Sequence, residues 1–196
     1  MKRLLTIGIF TLLLAACVDT TGISPESSKT PKGNSSSVVQ VAEYADLECP
    51  ACRAANETLV KPLVAKYGNQ IRYDFYFFPL RSIHRYTMEL SEAAECAADQ
   101  GKFWEYVDLA FEKQPELTRG SAADWGSTLV SDQDVFSRCM RSHIKAKAIM
   151  AEYDQGIAMG VQGTPTFFVN GQQIPATIED LSTAIEAQLK GAKQRL

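Results

Sequence analysis

Histidine and long apolar runs are scarce in this sequence of 196 residues, and positive charge is not in excess, with 20 Lys and Arg against 23 Asp and Glu. The two histidines, His84 and His143, are scattered, and no second closely spaced cysteine pair accompanies the first, so a four-ligand zinc site is not expected. The formal net charge of −3 argues against nucleic-acid binding, which requires a basic surface. No nucleotide, flavin or metal motif is present, so the sequence predicts neither a cofactor nor a metal.

The longest apolar run, at residues 4–16, follows Lys2-Arg3 and is too short for a bilayer span of about 20 residues. It predicts an export signal over residues 1–16. Leu14-Ala15-Ala16-Cys17 resembles a bacterial lipobox, which predicts cleavage before Cys17 and lipid attachment to its sulfur. The alternative is an ordinary signal peptide with a cysteine nearby. Val18, in place of aspartate, resembles the outer-membrane sorting pattern.

Residues 17–37 are rich in Ser, Thr, Pro and Gly and contain few apolar side chains. This composition predicts a flexible tether that carries the lipidated Cys17. Residues 38–196 then form the globular part, and the hydrophobic content of 45% is ample for a single core.

A redox motif follows the first predicted strand. An apolar, β-branched run at residues 38–45 predicts a buried strand, and Cys49-Pro50-Ala51-Cys52 opens a helical pattern in which Pro62 predicts a kink. Pro50 suits the first turn of a helix. We therefore expect Cys49 at a helix N-terminus, where free backbone N–H groups favour a thiolate, with Cys52 one turn further on. The same C-x-x-C spacing also occurs in half of a zinc site.

The rest of the chain alternates strands and helices. Residues 71–77 predict a second strand, and residues 81–159 are almost wholly helical in pattern. Gly163-Thr164-Pro165-Thr166 precedes a third strand, and a proline at a strand start can hold a cis peptide bond. Asn170-Gly171 predicts a hairpin, and Thr177 or its neighbour predicts the cap of a final helix.

In this order, the motifs resemble those of the DsbA-like thiol–disulfide oxidoreductases of the thioredoxin superfamily. The resemblance covers about residues 38–190. It rests on Cys49-Pro50-Ala51-Cys52, Phe78-Pro79-Leu80, Gln100-Gly101-Lys102-Phe103-Trp104 and the segment 160–171. It implies an α/β thioredoxin fold with an inserted helical subdomain at about 81–159, and Cys49 and Cys52 as the catalytic pair.

The resemblance also implies roles for other residues. Glu43, six residues before Cys49, is expected to be a partly buried acid that relays protons for Cys52, although an ordinary carboxylate is the alternative. Thr164 and a cis-Pro165 are expected to face the sulfur atoms and to bind an extended substrate segment. Once Cys17 is assigned to lipid, Cys96 and Cys139 remain, either as a structural disulfide or as two buried free thiols.

The expected function is an oxidase that introduces disulfides into exported, thiol-containing proteins, with a DsbB-like or a reductive membrane redox partner. A reductase or isomerase is the enzymatic alternative, and a non-catalytic binding lipoprotein or chaperone is the other. Strong oxidases of the family carry His in the dipeptide that is Pro50-Ala51 here, and Glu48 precedes Cys49, so a milder oxidant is expected. His84 is predicted to be a surface or structural residue. We expect a monomer, lipid-anchored on the periplasmic side of the bacterial cell envelope, with the outer membrane indicated by Val18.

Overall fold

The computed structural model describes residues 18–194, so the predicted export signal and Cys17 lie outside the described residues. The elements are, in chain order, β1 (Lys32–Gly33), β2 (Gln40–Ala45), α1 (Pro50–Ala55), a π-helical segment (Asn56–Val60), α2 (Lys61–Tyr67), β3 (Arg72–Phe77), α3 (Thr87–Ala98), α4 (Phe103–Lys113), a 3₁₀ turn (Gln114–Glu116), α5 (Ser121–Leu129), α6 (Gln133–Ser142), α7 (Ala146–Ala158), β4 (Thr166–Val169), β5 (Gln172–Ile174) and α8 (Ile178–Lys193). Across this part of the chain, every helix is too short or too polar to cross a membrane.

A five-stranded mixed sheet of order β1-β3-β2-β4-β5 forms the centre of the fold. The central strand β2 runs parallel to β3 and antiparallel to β4, so that Glu43 lies between Phe75 and Phe167. Because parallel strands need a long crossover, the helices α1 and α2 connect β2 to β3. This arrangement places the C-x-x-C motif directly after the carboxyl end of the central strand.

The inserted helices α3 to α7 lie between β3 and β4, as the α/β thioredoxin fold with a helical insertion requires. They share a core with Phe75, Phe77 and the first turn of α1. On the opposite face of the sheet, α7 packs closely at Gly156, where an added Cβ would lie 2.8 Å from Phe78 and 3.0 Å from Tyr44. Glycine is therefore needed for this approach of helix to sheet.

The segment 18–37 differs from the predicted flexible tether, and that prediction is wrong over most of its length. Ile23 is buried in the core, β1 pairs with β3, and the indole of Trp104 donates to the carbonyl of Thr30 at 2.8 Å. The ammonium group of Lys29 contacts the carboxylates of Glu95 and Glu152. A polar composition predicts disorder only when its side chains find no partners, and these partners are far away in sequence.

Several local signals within the described residues are confirmed. Asn170 and Gly171 both have positive φ in the β4–β5 turn, and the Thr177 hydroxyl accepts the Asp180 N–H at 3.1 Å at the start of α8. Asp132 caps α6 by accepting from the Val135 N–H at 2.9 Å. In place of the predicted kink at Pro62, the structure has a π-helical segment, Asn56–Val60, just before the proline. Pro62 then lies in the first turn of α2, where the N–H that proline lacks is not needed.

Candidate active site

Cys49 and Cys52 lie at the start of α1, as the sequence predicts. Cys49 is the N-cap residue with extended backbone angles, and Pro50 occupies the first turn. The Cys49 N–H donates to the carbonyl of Asp46 at 3.0 Å, which closes the turn between β2 and the helix. Both cysteines are free thiols, and their exposed fractions are only 6% for Cys49 and 0% for Cys52.

Hydrogen-bond donors around Cys49 stabilise its anionic form. The Cys52 thiol is the largest influence, and the Thr164 side chain and the backbone N–H groups of Cys52 and Ala51 add to it; together they outweigh burial and lower the pKa of Cys49 to about 5. A thiolate at this position is both a nucleophile and a good leaving group near neutral pH.

The partner thiol has the opposite tendency. Burial raises the pKa of Cys52 well above its usual value, and both its hydrogen bond to Cys49 and the nearby charge of Glu43 raise it further. The two sulfur atoms of one motif are therefore chemically distinct: one is poised as an anion and the other holds its proton.

Glu43 is fully buried beneath this motif, and its carboxylate accepts a hydrogen bond from the hydroxyl of Tyr73. Burial raises the pKa of Glu43 to about 7, against the opposing effect of the Tyr73 hydrogen bond. Its second oxygen, Oε1, has no hydrogen-bond partner within the described residues. A carboxyl group with this pKa exchanges protons readily at neutral pH.

The loop before β4 covers Cys49 from the side. The Thr164–Pro165 peptide bond is cis, and the Thr164 carbonyl lies 3.5 Å from the Cys49 sulfur. The Thr164 hydroxyl is buried and finds no other partner in the described part of the chain. Cavities adjoin this loop on its open side, lined by Gly163, Pro165, Thr166 and Gln173 among others.

Three residues that the sequence did not assign to the site surround the motif. The Gln114 side chain donates to the carbonyls of Leu47 and Cys49 at 2.9 and 3.1 Å. The Asp46 carboxylate is buried, and His84 lies 2.8 Å from it. His84 is therefore a structural residue beside the site, which is one of the two roles predicted for it. No local pattern in the sequence marks Asp46 or Gln114 as neighbours of the motif.

The structure bears on the two residues, Ala51 and Glu48, from which the sequence predicts a milder oxidant. Ala51 lacks a polar side chain, yet its backbone N–H contributes to the lowered pKa of Cys49. The Glu48 carboxylate accepts the Tyr86 N–H, which fixes it against the start of α3. The pKa of Cys49 is therefore low without a histidine in the dipeptide, because the helix start supplies the donors.

The remaining cysteines lie in the helical insertion. Cys96 of α3 and Cys139 of α6 form a disulfide, which is the first of the two alternatives that the sequence left open. His143 pairs with Glu92 and His84 with Asp46, at separate places in the fold. Over residues 18–194 there is no group of three or more His, Cys, Asp or Glu side chains that could hold a metal ion.

Comparison with known proteins places this geometry in a family. The thioredoxin family model matches residues 27–187. Among curated proteins, the Na⁺/H⁺ antiporter NhaA 3 of Salinispora tropica is 38% identical over 166 residues, which is 84% of this chain and 25% of that protein. NhaA 1 of Salinispora arenicola is 37% identical with the same coverage. The chain thus spans about a quarter of the curated relatives that it matches.

Solved structures share most of the fold. BdbD from Bacillus subtilis, in its oxidised form, has a TM-score of 0.74 and 22% identity, with 83% of this chain and 94% of that chain covered. α-DsbA1 from Wolbachia pipientis has a TM-score of 0.67 and 19% identity, with 90% and 98% covered. Because the family model covers residues 27–187, and the chain has a cis-proline loop beside its C-x-x-C helix, the chain belongs to the thioredoxin family.

Proposed function

We propose that the protein is a thiol–disulfide oxidoreductase in which Cys49 and Cys52 are the reacting residues. The observation that carries the proposal is the contrast within the motif: the pKa of Cys49 is lowered to about 5, whereas that of Cys52 is raised well above its usual value. Such a pair separates the roles of the exchanging sulfur of Cys49 and the resolving sulfur of Cys52. The solved neighbours, which include a thioredoxin-like oxidoreductase from Silicibacter pomeroyi, are consistent with this chemistry.

In the oxidising direction, the Cys49–Cys52 disulfide accepts two electrons from two substrate thiols. A substrate thiolate attacks the Cys49 sulfur, the Cys49–Cys52 bond breaks, and Cys52 leaves as a thiolate that takes up a proton. A second substrate thiolate then attacks the first substrate sulfur, and Cys49 leaves as a stable thiolate. The substrate gains one disulfide, and the protein becomes the dithiol.

Glu43 is the group we assign to the proton that Cys52 gains or loses. The carboxyl is buried, its pKa is about 7, and its charge acts on Cys52. A neutral carboxyl can therefore supply a proton when Cys52 leaves, and a carboxylate can remove it when the pair is reoxidised. Tyr73 holds the carboxyl in place through its hydroxyl.

Substrates are proposed to be exported proteins that bind as extended segments along the loop of Thr164 and Pro165. The open cavities beside this loop leave room for such a segment, and backbone pairing there would be independent of substrate sequence. We further propose that the chain is a monomer held at the periplasmic side of the cell envelope by a lipid on Cys17, with a membrane redox partner that resets the pair. Palmitate labelling that persists in Cys17→Ser would contradict the anchor.

The oxidising direction is the favoured one because a stable Cys49 thiolate stabilises the reduced protein, which therefore gives its disulfide away readily. Equilibration of the full chain with glutathione buffers tests this. We expect a reduction potential above about −230 mV, which lies between the value of thioredoxin, about −270 mV, and that of a strong oxidase, about −120 mV. A lower potential would assign the protein to the reductases instead.

A non-catalytic binding role is tested separately with the Cys49→Ser variant. If the wild-type protein refolds a reduced substrate protein by disulfide exchange, the variant should lose this refolding activity. Full retention of that activity by Cys49→Ser would favour a chaperone over an enzyme. The Cys52→Ser variant provides the trapping control when the substrate carries a disulfide: the Cys49 thiolate attacks one substrate sulfur, the other substrate sulfur leaves as a thiolate, and the mixed disulfide accumulates because Cys52 is not there to resolve it.

A further inference from the structure

The side chain of Asp46 gathers three segments of the active site around one carboxylate. Asp46 is completely buried, three residues before Cys49. Its Oδ1 accepts the Glu48 N–H at 2.8 Å and the Thr87 hydroxyl at 2.7 Å, and its Oδ2 accepts the Leu80 N–H at 2.8 Å. The fourth partner is Nδ1 of His84, 2.8 Å from Oδ2. The carboxylate therefore joins the C-x-x-C turn, the loop after β3 and the start of α3.

The backbone of the same residue contacts both cysteines. The Asp46 carbonyl accepts the Cys49 N–H at 3.0 Å, and the Asp46 N–H points at the Cys52 sulfur at 3.5 Å. Any rotation of Asp46 would change the position of the donors that stabilise the Cys49 thiolate. The geometry of the redox pair thus depends on how firmly the Asp46 side chain is held.

A hydrogen bond makes the histidine important for this residue. A buried carboxylate is costly unless its oxygens are hydrogen-bonded. Among residues 18–194, His84 provides the one side-chain nitrogen that hydrogen-bonds Asp46, and its side chain is only 14% exposed. Without this donor the Asp46 carboxylate would be held less firmly and its negative charge would be less well stabilised, which disfavours a thiolate nearby.

We propose that His84, acting through Asp46, is a positioning residue that sets the reduction potential of the Cys49–Cys52 pair. This proposal rests on the proposed oxidoreductase function. His84 does not contact either sulfur; its ring N–H hydrogen-bonds the Asp46 carboxylate, which in turn holds the C-x-x-C turn. Its loss should therefore make the protein a weaker oxidant even if the fold is kept.

The other histidine of the chain, His143, makes the same kind of contact and serves as a control, with a side chain that is 69% exposed against 14% for His84. His143 lies 2.7 Å, through the same ring nitrogen, from the carboxylate of the buried Glu92. This second pair links α6 to α3, the helices that the Cys96–Cys139 disulfide also joins, and it is not part of the C-x-x-C turn. Loss of a histidine–carboxylate pair can thus be compared at two places, only one of which is next to the redox pair.

The test measures disulfide exchange of the full chain with glutathione in His84→Ala, His84→Asn and His143→Ala. For His84→Ala we expect the equilibrium constant for oxidation of glutathione to fall about tenfold, equivalent to about 30 mV. His84→Asn retains a donor at the position of Nδ1 and should remain within about threefold of the wild type. His143→Ala should lower the thermal midpoint but leave the equilibrium constant within about twofold.

Two results would overturn the proposal. One is an equilibrium constant for His84→Ala within about twofold of the wild type; the other is an equal shift in His84→Ala and His84→Asn, which would exclude the hydrogen bond as the cause. The pH dependence of Cys49 alkylation in the reduced proteins is a second readout, and its midpoint should rise in His84→Ala alone. Because alkylation needs no turnover, a protein that fails to exchange disulfides would contradict the proposed function without deciding the role of His84.

Discussion

The two cysteine pairs of this chain differ in chemistry although all four residues are buried. Cys49 and Cys52 are 6% and 0% exposed, and Cys96 and Cys139 are each 1% exposed. Exposure therefore does not distinguish them. The first pair lies at a helix start beside backbone N–H donors and a cis-proline loop, whereas the second pair bridges the interior of α3 and α6. Burial alone therefore does not decide the reactivity of a cysteine here; hydrogen-bond donors lower the pKa of Cys49, whereas burial raises that of Cys52.

The largest expected effect comes from removing the reactive sulfur of the first pair. Cys49→Ser should reduce the rate of disulfide exchange with a peptide substrate by more than about 10³-fold, the scale on which loss of a nucleophile acts. The measurement is the rate of dithiol oxidation in a peptide with two cysteines. The matched control is the double variant Cys96→Ser/Cys139→Ser, whose rate of dithiol oxidation should stay within about threefold of the wild-type rate. A comparable loss of rate in this control would mean that the two pairs do not differ in reactivity.

Removing the second pair should affect stability instead. The Cys96–Cys139 bridge closes a loop with a sequence separation of 43 residues, and such a bridge typically stabilises a protein by about 2–4 kcal/mol. Urea unfolding of Cys96→Ser/Cys139→Ser should show a loss of this size in the free energy of unfolding. An unchanged midpoint in urea, with the wild-type bridge verified by thiol counting, would show that the second pair is dispensable for stability.

Glu43 connects the first pair to a measurable pH dependence. Burial raises its pKa from a usual 4.5 to about 7 in the folded protein, so between these values the folded protein holds a proton that the unfolded chain has released. The free energy of unfolding should therefore fall as pH rises from 4.5 to 7, by at most about 3 kcal/mol.

In Glu43→Gln this fall should become smaller, and the part that remains comes from Glu92 and Glu152, whose pKa values burial also raises. The experiment uses the oxidised protein, in which Cys49 and Cys52 do not titrate, and compares urea midpoints of the two proteins at several pH values. Parallel pH profiles for the wild type and the variant would mean that the carboxyl is not the buried, proton-holding group described above.

The smallest expected effect concerns the acid next to Cys49. The Glu48 carboxylate is held by the Tyr86 N–H, and Gln can accept the same bond. Glu48→Gln should thus lower the pKa of Cys49 by only a few tenths of a unit, because one partly solvated charge is removed. The pH midpoint of alkylation measures this, and a decrease of more than about one unit would indicate that Glu48 controls the thiolate.

Much of the fold and part of the site follow from the sequence. The strand before Cys49, the helical insertion, the Asn170-Gly171 turn and the Thr177 cap depend on local patterns, and local patterns are visible in one sequence. The cis bond at Pro165 followed from its position at a strand start, together with the resemblance to known oxidoreductases.

Other features could not be predicted because their partners are distant in sequence. Lys29 finds Glu95 and Glu152 across more than sixty residues, so a stretch of polar composition becomes an ordered part of the domain. Likewise, Asp46 meets His84 and Thr87 only once α3 is packed against the C-x-x-C turn. Composition and periodicity carry no information about such pairings.

The amide of Gln114 has a consequence for anyone who would re-engineer this protein. It belongs to the 3₁₀ turn at the end of α4, inside the insertion, yet it donates to the carbonyls of Leu47 and Cys49. The helical insertion is for this reason not an interchangeable module. A chimera that combines the thioredoxin half with an insertion from another protein would have to bring its own amide to that place, or accept a reactive turn with two carbonyls deprived of a donor.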